Sequence, residues 1–135
     1  RGDYLEPKYW KTTGCVCQLP YYLNAIAEMN KRISQPSYYV FSDDIAWVKE
    51  NLPLPKVFFI DWNKGTESWQ DMMLMSRCRH HIICNSTFSW WGAWLNPREN
   101  KTVIMPERWF RHCETPDICP DKWIKVPINQ PDSIQ

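Results

Sequence analysis

Asn85-Ser86-Thr87 is the segment whose residue types point most directly to chemistry. Three small polar side chains at the start of a helix come with backbone N–H groups that have no intrahelical partner, and the helix dipole favours an anion such as a pyrophosphate there. The segment reads as a phosphate cradle without a glycine-rich loop; an ordinary N-cap uses the same residues. Arg1-Gly2-Asp3-Tyr4 offers a second anion contact. Arg1 would supply a fixed charge and a bidentate fork, Gly2 the backbone turn, and Asp3 a carboxylate that orients Arg1 or accepts from a sugar hydroxyl, whereas the plain alternative is a surface ion pair. The Arg-Gly-Asp triplet also invites a cell-adhesion reading, which its place at a strand end of an α/β core argues against. Asp71 falls in the first half of a helix, where a carboxylate facing a cleft could accept from guanine N1 and N2 or from a ribose; a solvated helix acid is the commoner fate of Asp.

Other constellations carry less. Ser42-Asp43-Asp44 could hold a divalent ion, but the same residues serve as the cap and first-turn acid of a helix, and that reading is preferred. His80 and His81 flank a buried strand on opposite faces and cannot both serve one site, so packing or surface roles are expected. Trp90 and Trp94 share a helix face, and for them and Trp91 core packing is favoured over sugar stacking. Cys15-x-Cys17 and Cys113-x5-Cys119 do not match a zinc pattern, and His112 adds too little to make one. Cys78 and Cys84 read as small hydrophobes in a helix and a strand, which favours a reducing compartment.

The elements that must position these residues follow from periodicity and punctuation. Apolar residues recur at helical spacing from Leu19 to Ile33, with Pro20 tolerated in the first turn. Tyr38 to Phe41 is a short strand, followed by a helix from Asp43 to Asn51. Val57 to Ile60 is a continuous apolar run that fits a strand covered on both faces. Gly65 to Ser68 offers caps for a helix from Glu67 to Arg77 with Trp69, Met72, Met73 and Met75 on its apolar side. His81 to Cys84 is the next strand, Asn85 to Leu95 the next helix, and Lys101 to Met105 the last clear strand. Strands alternating with helices of this length require parallel neighbours, so the fold class is α/β, a Rossmann-like parallel sheet with flanking helices. The expected organisation is one domain over residues 1–110, cut at its N-terminal edge, and a loop-rich tail over 111–135.

Composition limits the partners. The 135 residues, 44% of them hydrophobic, suffice for one core. Sixteen basic against 15 acidic residues give no broad field of one sign, so no nucleic acid partner is expected and any anion must be held locally. The longest apolar runs fall far short of the roughly 18 residues of a membrane span. The opening Arg1 has no Met and no apolar leader around it, which suggests a fragment.

The quoted blocks resemble a known family. Arg1-Gly2-Asp3-Tyr4 resembles the end of the His-x-Arg-Arg-Gly-Asp-Tyr signature of the α-1,2-fucosyltransferases, glycosyltransferase family 11. Phe41-Ser42-Asp43-Asp44, Trp47-Val48-Lys49, Asp71-Met72-x-Leu74-Met75-Ser76-x-Cys78 and Asn85-Ser86-Thr87-Phe88-Ser89-Trp90-Trp91-Gly92-Ala93-Trp94-Leu95 resemble the later blocks in the same order. The form is closer to the bacterial members than to the Golgi enzymes. The resemblance implies a two-domain GT-B-like fold of which this chain is the donor-binding half, with a missing N-terminal half of the same enzyme as its partner. It implies GDP-fucose as a substrate, no cofactor and no metal, and inverting transfer of fucose to the 2-hydroxyl of a galactose-terminated glycan. Arg1 would contact the β-phosphate, the turn of Asn85, Ser86, Thr87 and Phe88 would hold the pyrophosphate, and Asp71 would lie near the guanosine. Asp3 is the carboxylate available as a base or to orient Arg1. The bacterial form implies a cytoplasmic location, or a peripheral one at the inner face of the membrane. A protein O-fucosyl or α-1,6 enzyme, and a tryptophan-rich carbohydrate-binding module, remain as alternatives.

Overall fold

The structure is a computed structural model that describes residues 7–9 and 16–129. It contains helices α1 (Leu19–Arg32), α2 (Ile45–Asn51), α3 (Trp69–Arg77) and α4 (Thr87–Trp94). The strands are β1 (Tyr38–Phe41), β2 (Val57–Ile60), β3 (His81–Ile82), β4 (Val103–Pro106) and β5 (Ile124–Val126). Among the described residues every pairing is parallel: β1 with β2 in one sheet, and β3-β4-β5 in a second. The fold is thus α/β, with parallel strands flanked by helices, as the alternation in the sequence requires.

Strand β4 is the centre. All four of its residues are buried, and its two faces carry separate apolar clusters. On one face Val103 and Met105 meet Ile83, Ala93 of α4, Trp109 and Trp123. On the other, Ile104 meets Tyr21, Ala25 and Met29 of α1 together with Val126 of β5. Side chains alternate across a strand, so one β-branched and aliphatic run supplies both layers.

Helix α1 begins with Pro20 in its first turn and ends with Lys31 and Arg32, whose charges suit the carboxyl end of the helix dipole. Its Tyr21 is fully buried and donates its hydroxyl to the Ile83 carbonyl, which couples α1 to the exit of β3. Its Asn30 accepts from the Tyr38 hydroxyl at 2.7 Å, so the same helix also reaches the β1–β2 sheet. Helix α2 is capped as expected: Asp44 accepts from the Trp47 N–H at 3.0 Å.

Helices α3 and α4 lie against each other at Gly92 and Met75. A Cβ added at Gly92 would stand 2.8 Å from the Met75 Cβ, so only glycine permits this approach. The carboxyl end of α4 is closed by Lys101, whose ammonium donates to the carbonyls of Ala93 at 3.0 Å and Asn96 at 2.6 Å. Beside it, the buried Asn96 amide donates to the Cys78 carbonyl at 2.9 Å and to His81 Nε2 at 2.8 Å. Burial first, then the charge of Lys101, lower the His81 pKa to about 4. His80 instead accepts at Nδ1 from the Thr102 N–H at 3.0 Å. Both histidines therefore have packing roles, as their opposite directions imply.

Several expectations change. The tail after Phe110, which the sequence marks as loop-rich, also supplies the short strand β5 and buries Trp123 and Val126. Three strand residues between Pro120 and Pro127 are too few to show a period. Strand β2 is not covered on both faces: Phe58 and Tyr39 are about half exposed and stack on each other at 5.0 Å. Strand β3 ends at Ile82, because Cys84 and the residues after it leave the sheet for the turn into α4. Helix α3 starts at Trp69, after a 3-10 turn at Gly65–Glu67, and Trp69 is exposed instead of lying on an apolar side. Gly65, at φ 57°, takes the left-handed conformation that the turn needs.

Two predictions follow from this packing. Gly92→Ala will push α3 and α4 apart and cost about 1–3 kcal/mol of stability, read as a lowered urea midpoint. Protonating His81 sets an N–H against the Asn96 amide, and its folded pKa lies below the unfolded value of 6.5. The unfolded chain therefore binds the proton more readily, so stability is complete above 6.5 and falls as pH drops to about 4. The loss should approach about 3 kcal/mol, and His81→Gln should flatten this part of the stability–pH curve.

Candidate functional site

In an open parallel sheet, ligands gather beyond the carboxyl ends of the strands, where the following helices begin. The ends of β2 and β3 supply two such turns here. The turn after β3 is tightly built. Ile83 still donates to the Ile104 carbonyl at 2.9 Å, and the Ser86 N–H then folds back to the Cys84 carbonyl at 2.8 Å. Ser89 closes the turn from inside the helix, its hydroxyl donating to the carbonyls of Ser86 at 3.0 Å and Cys84 at 3.3 Å.

Asn85 is 3% exposed and donates its side-chain amide to the Trp109 carbonyl at 3.1 Å. It ties this turn to the segment that leaves β4. Ser86 is buried as the N-cap residue, yet its hydroxyl makes no capping bond. The first-turn N–H groups of α4 are therefore not closed by the cap that the sequence suggests, and they sit at the positive end of an eight-residue helix. Thr87 is exposed and Phe88 half-buried. Among the four residues expected to cradle an anion, Asn85 shapes the backbone, Ser86 occupies the cap position, and Thr87 is the exposed side chain.

Cys17, Tyr21 and Tyr22 lie behind this turn as neutral groups. Burial, followed by the proximity of Cys84, pushes the Cys17 thiol well above its ordinary range, against an opposing hydrogen bond from the Asn85 backbone. Burial likewise raises the Tyr21 and Tyr22 phenols. These groups stay neutral at physiological pH and add no negative charge behind an anion.

The second turn follows β2. Asp71 lies in the first turn of α3, half-buried, and its Oδ1 accepts from Asn63 Nδ2 at 2.6 Å. The exposed indoles of Trp62 and Trp69 belong to the same stretch. Helices α3 and α4 pack against each other at Met75 and Gly92, so the helix that carries Asp71 is a neighbour of the one that begins at Thr87. Ser42-Asp43-Asp44 acts as a cap, with Asp44 on the Trp47 N–H and the Ser42 hydroxyl accepting from the Asp44 N–H at 3.0 Å. Arg1 and Asp3 lie outside the described residues. Sequence reasoning assigns no role to Asn63, although it lies in the strand-to-helix turn Asp61-Trp62-Asn63-Lys64, and it misses the Trp109 carbonyl, since a backbone acceptor leaves no trace in residue type.

Comparison with known proteins adds what the geometry alone leaves open. The model of the family described as glycosyl transferase family 11 matches residues 1–126. The chain belongs to glycosyltransferase family 11. It is 36% identical over 130 residues to an Escherichia coli α-1,2-colitosyltransferase, covering 93% of this chain and 45% of that protein. It is also 36% identical over 127 residues to the Escherichia coli O-antigen biosynthesis glycosyltransferase WbnK, covering 93% of this chain and 42% of the relative. A galactoside α-(1,2)-fucosyltransferase 1 of Saimiri boliviensis boliviensis is 33% identical over 99 residues, 70% of this chain and 26% of its own length. The family 11 chain thus spans less than half the length of these relatives. No solved structure gives a significant match.

Asn85→Ala removes a buried donor and leaves the Trp109 carbonyl without that partner. We expect a loss of about 1–3 kcal/mol in urea denaturation, larger than for Thr87→Ala at the exposed neighbouring position.

Proposed function

We propose that this chain forms the donor-binding half of a galactoside α-1,2-fucosyltransferase, which transfers fucose from GDP-fucose to the 2-hydroxyl of a galactose-terminated glycan with inversion. The observation that carries the reading is the start of α4: a helix whose N-cap hydroxyl makes no capping bond, at the carboxyl end of a parallel strand, within the residues that the family matches. Backbone N–H groups held there by Asn85 and Ser89 would meet the pyrophosphate without reorganising. Asp71, on the neighbouring helix and held by Asn63, is assigned the role of accepting from a base or a ribose.

The chemistry follows from charge. As the glycosidic bond to fucose breaks, negative charge grows on the departing GDP, and fixed dipoles together with a guanidinium stabilise it most when they are already in place. Arg1 is assigned the β-phosphate contact and Asp3 the role of orienting Arg1 or accepting the hydroxyl proton. The acceptor contacts belong to a further half of the enzyme, so the present residues by themselves are expected to bind the donor and transfer little. A peripheral position at the inner face of a bacterial membrane suits an enzyme that builds surface glycans.

A second reading concerns the sugar. The relative with a colitosyltransferase name is matched over 93% of this chain, against 70% for the fucosyltransferase, so colitose is the competing donor sugar. The deciding experiment is calorimetric titration of the full-length protein with GDP, GDP-fucose and UDP-galactose in the presence of EDTA, followed by turnover with fucosyl and colitosyl donors. Guanine-selective binding is expected, and no binding by a folded protein would refute the assignment. Arg1→Lys keeps the charge and loses the fork, so kcat should fall by about 100-fold or more while the melting temperature stays in place. A lowered melting temperature with intact specific activity would contradict this role for Arg1.

A further inference from the structure

We infer that Asn63 is the positioning residue for base recognition: it fixes the plane of the Asp71 carboxylate so that one edge of it can read the 2-amino group of a guanine. The inference rests on the proposed placement of Asp71 at the base. Its own observation is the 2.6 Å bond from Asn63 Nδ2 to Asp71 Oδ1.

A carboxylate at the end of an Asp side chain turns easily about its last torsion, which has broad rather than staggered wells. A guanine offers two donors in a row, N1–H and the 2-amino group, so a carboxylate reads it well only when both oxygens are aligned with that edge. Asn63 holds one lobe of Oδ1 and leaves the rest of the carboxylate available, since each oxygen accepts in two directions. Being neutral, it does this without cancelling the charge that makes the contact strong.

The tether is itself anchored. Asn63 is half-buried in the turn that leaves β2. Between it and α3, the Glu67 N–H donates to the Lys64 carbonyl at 3.1 Å and the Ser68 N–H to the Gly65 carbonyl at 3.2 Å. Ser68 in turn accepts from the Asp71 N–H at 3.1 Å. A closed chain of short-range bonds therefore sets the distance between the Asn63 amide and the Asp71 carboxylate before any ligand arrives, which is the condition for selectivity at low ordering cost.

The test compares GDP with inosine diphosphate, which lacks only the 2-amino group, by titration of the full-length protein. Wild-type protein should prefer GDP by roughly 10-fold or more, the worth of one hydrogen bond to a charged group. Asn63→Ala should narrow that preference to within about threefold, and Asn63→Leu, which keeps the approximate shape and removes the donor without adding charge, should do the same. Both should bind inosine diphosphate almost as wild type does, a readout that general loosening of the fold would not spare. A preference kept in both variants but lost in Asp71→Asn would overturn the role of Asn63 while leaving Asp71 at the base. Equal binding of the two nucleotides by wild-type protein, or a preference that survives Asp71→Asn, would remove Asp71 from the base and the inference with it.

Discussion

Burial of β4 on both faces is the constraint on which the rest of the structure depends. Its hydrogen bonds run to β3 and β5, and its side chains fill the layers beneath α4 and α1. A strand enclosed in this way has one acceptable register, because a slip by one residue would exchange the two layers. Fixing β4 fixes β3 beside it, and the point where β3 leaves the sheet sets where α4 must start. The candidate anion site is thus placed by packing some distance away from it.

The turn between β3 and α4 shows how polar groups are distributed between structure and function. Asn85 and Ser89 hold the backbone through carbonyls of Trp109, Cys84 and Ser86, and the Tyr21 hydroxyl secures Ile83 just before the turn. The backbone is held by these buried bonds, while the first turn of α4 has no side-chain cap; uncapped N–H groups of a helix start are satisfied by water or by a ligand. The opposite end of α4 is treated differently: the Lys101 ammonium and the Asn96 N–H donate to its last carbonyls. One end of the helix is closed by Lys101 and the other has no side-chain cap, and the dipole makes that uncapped end the positive one.

The surface of the chain also bears on its role. The Tyr39–Phe58 pair and the indoles of Trp62, Trp69, Trp91 and Trp94 are about half exposed or more. Helix α3 has no buried residue although four of its nine positions are Met or Leu. So much partly covered apolar surface, in a family 11 chain that spans less than half of its relatives' length, accords with a unit that operates beside further structure.

The sequence by itself determined the α/β class, the parallel pairing, the order of the elements and the place of the Asn85 turn. These depend on local rules, namely period, caps and breakers, and on connection lengths that exclude hairpins. The Asp44 cap and the packing roles of His80 and His81 were legible for the same reason. Tertiary structure alone decided the rest. The pairing of β5 with β4 rests on three residues with no period of their own. The exposure of Tyr39 and Phe58 depends on which neighbour is absent from that face. The Asn63–Asp71 bond joins residues whose separation in space is set by a turn, and the Asn85–Trp109 bond uses a backbone carbonyl that every residue type shares. Local chemistry predicts where a helix can begin; only the packed fold shows which of its polar groups are already engaged and which remain open to a ligand.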